Sequence, residues 1–197
     1  MVIVFDLGKV ILDFNLTKIS SKLSAISGFS ESDIAFFLFE NDFSRTFDRG
    51  CLTNDEFYAT VRDRFKLTIT YGQFKHIWNE IFTPVPGMET LINSLKAKHR
   101  VGLLSNTNRL HFEYIAETYP VVRGMDWHLS YEMHLMKPEP EIYRKVADFY
   151  KAKPSDVFFT DDLAVNIEGA KAVGIQAVQF HSVENLRCEL AARGISI

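Results

Sequence analysis

Val2-Ile3-Val4-Phe5-Asp6-Leu7-Gly8-Lys9-Val10-Ile11-Leu12-Asp13 is the stretch around which the rest of the chain is organised. Its first four residues are three β-branched side chains and an aromatic one, with no polar position to face water. Such a run predicts a strand buried on both faces. It stops at an acid, and a glycine follows two residues later, so Asp6 falls at the carboxyl end of that strand. In an open α/β sheet the ligand crevice forms there, between the loops leaving the strand tips. Alone, Asp6 is equally a residue that starts a turn, so the other strand ends have to be read for partners.

Two further runs have the same character. Val101 to Leu104 ends in Ser105-Asn106-Thr107-Asn108, and Val157 to Thr160 ends in Asp161-Asp162, with Lys137-Pro138 between them. Strands are also expected at Asp126 to Ser130 and Gln176 to Phe180. Helices are expected at Met88 to Lys98, Arg109 to Glu117, Glu141 to Tyr150, Ala164 to Val173 and Val183 to Arg193. Alternating strands and helices predict a doubly wound, Rossmann-like parallel sheet.

From Leu16 to Phe82 the strand signal is absent. Apolar residues recur at helical spacing in Ile34-Phe37-Leu38, Phe57-Val61-Phe65 and Phe74-Ile77-Trp78-Ile81, with capping residues at Ser30, Thr53 and Thr70. A block of about four helices is expected, far longer than a βαβ crossover needs. The chain is therefore divided into a core of residues 1–15 and 84–197 and an inserted all-helical domain of residues 16–83. Leu7 to Asn15 is read as a turn and a short hairpin-like flap.

With 197 residues, 47% of them hydrophobic and 24% charged, the chain has material for one α/β core and a small appendage. A net charge of −3 with no basic stripe argues against nucleic acid as a partner. No run of about 18 apolar residues suggests a membrane span. Cys51 and Cys188 fall in segments read as different domains, which predicts free thiols in a reducing cytosol. A cytoplasmic protein, monomeric or weakly homodimeric, is expected.

Acid, hydroxyl, lysine and acid pair in this order resemble the four motifs of the haloacid dehalogenase superfamily of phosphohydrolases, matched by Asp6, Ser105, Lys137 and Asp161-Asp162. The resemblance covers residues 1 to about 181. It implies that the helical insertion caps the active site and that the substrate is a small phosphorylated molecule. Phe5-Asp6-Leu7-Gly8, Leu104-Ser105-Asn106-Thr107-Asn108-Arg109 and the stretch Asp161 to Ala170 are more closely similar to the bacterial α-D-glucose-1-phosphate phosphatase branch.

The chemistry that the resemblance implies has a physical rationale. A carboxylate attacks phosphorus and forms an aspartyl-phosphate that water hydrolyses, and a divalent cation overcomes the repulsion between carboxylate and phosphate. Mg2+ takes oxygen ligands, which Asp6, the Gly8 carbonyl and an acid at 161 or 162 can supply. Alignment on Ala164-x-Asn166-Ile167 matches Asp162 to the family's metal-ligating acid and makes Asp161 its neighbour. Asn166 stands where many members carry another acid, and is expected to orient water or Asp162. Ser105 with the backbone of Asn106 would hold a phosphoryl oxygen, and Lys137 would neutralise charge beside Asp6. Arg109 and His111 lie just beyond the second motif, either in reach of a substrate hydroxyl or the phosphate or as ordinary helix-surface residues.

The sequence departs from the family pattern at one point. Phosphatases of the superfamily carry a second acid two residues after the nucleophile, which protonates the leaving oxygen, and here that position is Gly8. Its absence keeps two alternatives open. One is a metal-independent 2-haloacid dehalogenase, and the other a phosphate-ligand binding protein without turnover.

Overall fold

The N-terminal apolar run forms β1 (Val2–Phe5), the central strand of the sheet, in a computed structural model that describes all residues 1–197. Two short strands, β2 (Leu12–Phe14) and, after the insertion, β3 (Phe82–Pro84), form a separate two-stranded sheet. The core continues with α6 (Met88–Lys96), β4 (Arg100–Ser105), α7 (Arg109–Thr118), β5 (Asp126–Leu129), α8 (Ser130–Met133), α9 (Pro140–Tyr150), β6 (Val157–Asp161), α10 (Ala164–Ala172), β7 (Gln176–Gln179) and α11 (Val183–Ala192). The insertion supplies α1 (Thr17–Ser27), α2 (Glu31–Phe39), α3 (Asp42–Asp48), α4 (Asn54–Phe65) and α5 (Tyr71–Asn79).

The main sheet runs β5-β4-β1-β6-β7, with every pair parallel. The chain leaves β1 towards β4 and β5, then crosses back to add β6 and β7 on the other side. That reversal of direction puts the tips of β1, β4 and β6 side by side. Alternation along β1 sends Ile3 and Phe5 to one apolar layer with α6, α7 and α11, and Val2 and Val4 to the other with α9 and α10. Both faces are covered, which is why the strand reads as unbroken hydrophobic sequence.

Residues 16–83 build a third apolar cluster of their own. Ile19, Leu23, Ile34, Leu38, Phe47, Phe57, Phe65, Phe74 and Trp78 pack together, joined by Leu110 from α7. Ser30, Thr53 and Thr70 cap their helices with side-chain oxygens, and the last two form capping boxes with Glu56 and Gln73. The block holds five helices where the periodicity suggested about four. The additional one, α3, is a seven-residue helix started by the Asn41 side chain, too short to show a helical period. The flap after β1 is also paired differently from a local hairpin. Its strand β2 lies antiparallel to β3, the segment that brings the chain back from the insertion. No helix is long and apolar enough to cross a membrane.

Candidate active site

Three strand tips bring the polar residues together. Asp6 follows β1, and its backbone N–H donates to Thr160 O of β6 at 2.9 Å. Ser105 ends β4 and Asp161 ends β6. Lys137, 131 residues after Asp6, inserts its ammonium between the acids, with Nζ 2.6 Å from Asp6 Oδ1 and 2.5 Å from Asp161 Oδ2. All three groups are buried.

The lysine is clamped at both ends of its own backbone unit. Asn106 Nδ2 donates to Lys137 O at 2.9 Å, and Lys137 N–H donates to Asn106 Oδ1 at 2.8 Å. The Asn106 side chain thus locks the lysine, a role beyond the backbone donor expected for it. Asp161 is held as firmly. It accepts from Leu163 N–H at 2.8 Å and from Asn166 Nδ2 at 2.9 and 3.0 Å. Asn166 therefore orients Asp161, where the sequence suggested Asp162, because α10 starts directly above the tip of β6. Asp162 is half-buried at the edge of the cluster.

Electrostatics give the cluster its chemical meaning. Burial tends to discharge the Lys137 ammonium, but the Asp6 and Asp161 carboxylates outweigh it and hold the lysine above its ordinary value. Asp6 is pushed up to about 7, by burial first and by the charge of Asp161 in addition, against the pull of Lys137. Burial and Asp161 also raise Asp162. One ammonium thus faces more negative charge than it neutralises. Oxygens of Asp6, Asp161 and Asp162 lie within 4.8 Å of one another, and a hard divalent cation suits such an all-oxygen donor set.

Beside the cluster lies a cavity of about 220 Å³ between the helical insertion and the sheet. Gly8, Ser105, Asn106 and Thr107 form its floor, while Leu38, Phe39, Phe47, Phe57 and Trp78 line it from the insertion. The His111 ring closes one wall. It stacks on Trp78 with centroids 4.9 Å apart, and its Nδ1 lies 3.0 Å from Asn79 Oδ1. Burial lowers His111 to about 3, so the imidazole is neutral and its Nδ1 carries the proton given to Asn79. It joins α7 to α5.

Arg109 does not reach the cluster. As the first residue of α7, behind the N-cap Asn108, it projects outward to Glu113 at 3.8 Å and over the Tyr131 ring at 5.3 Å. It lines a separate depression with Cys51 to Glu56.

Asp48 was not anticipated from sequence. It lies in the cavity wall, donates nothing, and accepts from Asn108 Nδ2 at 3.0 Å. Burial pushes its carboxyl up to about 6. The sequence carried no signal for it, because α3, whose last residue it is, is too short to show a helical period.

Known proteins share this fold. The family model for haloacid dehalogenase-like hydrolases matches residues 1–174. A curated relative from Bacteroides thetaiotaomicron, named D-ribitol-5-phosphate phosphatase, is 28% identical over 95% of each chain. A crystal structure of a haloacid dehalogenase family enzyme from the same organism, in complex with magnesium and inorganic phosphate, has a TM-score of 0.83 and 25% identity. It covers 92% of this chain and 94% of that one. A hydrolase of this fold from Porphyromonas gingivalis has a TM-score of 0.84 at 22% identity, over 100% of this chain and 98% of its own. The match of the family model across most of the sequence, on a sheet whose strand tips gather the four motifs, means that this chain belongs to the haloacid dehalogenase-like hydrolase family.

Proposed function

We propose that this protein is a magnesium-dependent phosphatase of small phosphomonoesters, working through an aspartyl-phosphate on Asp6. The observation that carries this reading is the Lys137 ammonium held between Asp6 and Asp161 with Asp162 alongside. A metal-independent attack on carbon has no use for the third carboxylate.

Asp6 Oδ1 is engaged by Lys137, so Oδ2 is the oxygen left to attack phosphorus. Lys137 balances charge on the transferring group, and Ser105 with the Asn106 N–H holds a phosphoryl oxygen at the tip of β4. Asp161, fixed by Asn166, keeps the lysine in position. Asp6, Asp162 and the Gly8 carbonyl would hold the magnesium ion, which supplies positive charge to a phosphate approaching a carboxylate. The α1–α5 insertion acts as the cap of residues 16–83 over the core of residues 1–15 and 84–197. Its aromatic side chains exclude water from the cavity, where the leaving group sits.

Eleven of the cavity's 19 lining residues are hydrophobic. A sugar or polyol can present its C–H faces to these aromatics and its hydroxyls to Ser44, Asp48 and Thr107. Glucose 1-phosphate, suggested by the motif resemblance, and ribitol 5-phosphate, for which the Bacteroides relative is named, are the first esters to try. The test is phosphate release from a panel of sugar and polyol phosphates, first with magnesium and then with chelator. Magnesium-dependent release supports the reading. Chloride release from a 2-haloacid in the presence of chelator, with no phosphate released from any ester, would replace it with dehalogenation.

A further inference from the structure

A glycine at position 8 leaves the leaving oxygen without a proton source from β1, and the structure leaves little room there for one. A Cβ built on Gly8 lies 2.8 Å from Phe14 Cε1, so the Phe14 ring occupies the place of an acidic side chain. The cavity that begins at Gly8 carries one carboxyl group on its wall, and it comes from the cap. Building on the phosphatase reading above, we propose that Asp48 of α3 is the proton donor to the leaving oxygen and the proton acceptor from the hydrolytic water.

Four features make Asp48 suited to this role. It lines the same cavity as Gly8, Ser105 and Asn106. Its carboxylate is oriented by Asn108, whose other amide atom accepts His111 N–H at 3.0 Å and so ties the pair to the start of α7. Its backbone is pinned to the core. Ser130 Oγ donates to Asp48 O at 2.6 Å, His134 Nδ1 lies 2.8 Å from Arg49 O, and Arg49 pairs with Glu139. At Gly50, with φ of +73°, any Cβ would meet Tyr131 O at 2.1 Å, so this joint between cap and core closes only around a glycine.

The surroundings also favour a carboxyl group that changes charge. The polar neighbours in the cavity are neutral: the Asn108 amide, the Ser44 hydroxyl and the uncharged His111 imidazole. Arg49, next in the chain, is engaged by Glu139. Burial holds Asp48 up at about 6, near the range where one group serves as both acid and base.

Asp6 Oδ2 forms a bond to phosphorus while the bond from phosphorus to the leaving oxygen breaks, and that oxygen takes the proton of the Asp48 carboxylic acid. Water then attacks the phosphorus of the aspartyl-phosphate and gives a proton to the Asp48 carboxylate. The bond between phosphorus and the Asp6 oxygen breaks, which releases inorganic phosphate and restores both aspartates.

A test compares a primary polyol phosphate with p-nitrophenyl phosphate, whose leaving group needs no proton, in the wild-type protein and in Asp48→Asn. The amide keeps the volume and the contact with Asn108. Steady-state turnover of the polyol ester should fall by about 10²- to 10⁴-fold. The nitrophenyl ester should still give a first-turnover burst of nitrophenol close to one equivalent per enzyme, because only the step that activates water is slowed. Equal losses on both esters without a burst would overturn the proposal and leave Asp48 a structural role, and unchanged turnover would remove it altogether. Asp48→Ser, smaller in the same cavity, must show the same split, which keeps the test decisive if the asparagine variant does not fold. Wild-type protein that releases phosphate from neither ester would refute the phosphatase reading itself, whatever Asp48 does.

Discussion

The site has two halves built on opposite physical plans. At the strand tips, Asp6, Lys137 and Asp161 are buried charges joined by short hydrogen bonds, with Asn106 and Asn166 locking them from outside. In the cavity beside them, aromatic rings enclose neutral polar groups, and the one acid, Asp48, is destabilised as an anion. The first half binds and neutralises charge, while the second excludes water and favours uncharged forms. On the proposed function, a phosphoryl group belongs in the first, and the organic part of the ester in the second. The difference explains how one small site can hold a dianion and also raise a carboxyl group towards neutral pH.

The sharpest way to break this contrast is to remove the nucleophile. Asp6→Asn should lower phosphate release by about 10⁴-fold or more, with the fold retained by circular dichroism. Retained turnover would move the chemistry away from the strand tips.

Lys137→Ala attacks the same half through stability. It leaves Asp6 and Asp161 as uncompensated buried charges, a change that typically costs about 3–5 kcal/mol. Urea unfolding at neutral pH should show it, and a loss below about 1 kcal/mol would mean that the two carboxylates do not repel as their burial implies.

Removing His111 tests the neutral half. Its folded-state value near 3 lies below the unfolded value near 6.5, so the unfolded chain binds the proton first as the pH falls. The stability it protects is complete above about 6.5 and is lost progressively towards 3, with a slope of up to about 1.4 kcal/mol per pH unit. Buried His128, lowered to about 4, adds a similar slope, while Asp6, raised to about 7, and Asp48, raised to about 6, act in the opposite sense. His111→Gln should remove one histidine's share of acid destabilisation between pH 6 and 5, measured as the change in slope and not as absolute stability.

The smallest effect is expected at Asp48. Its folded value lies above the unfolded one, so the stability linked to its protonation is fully present below about 4 and lost as pH rises through about 6. At pH 8 the carboxylate is a cost, and Asp48→Asn should raise stability by on the order of 1 kcal/mol, discounted because the group keeps some water through the cavity. A thermal midpoint higher by about 2–4 °C would show it. If the same substitution stabilises the protein and slows turnover of the polyol ester, Asp48 bears a stability cost that a purely structural residue would not.

Much of the strand-tip half was legible in the chain. Val2 to Phe5 reads as a doubly buried strand because both of its faces are covered by helices, and Asp6, Ser105 and Asp161 stand where apolar runs stop. Lys137 was legible through its place between the second and third of these strand ends and through the proline after it. Local pattern also placed the caps at Ser30, Thr53 and Thr70, since capping is decided within four residues. Arg109 was misread because the motif next to it says nothing about the side of α7 from which it leaves. Asn166 was expected to orient water or Asp162 and instead holds Asp161, a choice set by where α10 begins over β6.

By itself, then, the amino-acid order determined the parallel sheet, the helical insertion and the identity of the charged cluster, because burial pattern, capping and strand ends are properties of short stretches. The tertiary structure alone decided what faces the cavity. Phe14 fills the space beside Gly8, Asp48 reaches the wall from a helix some 40 residues away, and His111 is discharged by its contacts with Trp78 and Asn79. Each depends on surfaces distant in sequence coming together and excluding water, and desolvation of a side chain is set by all its neighbours at once.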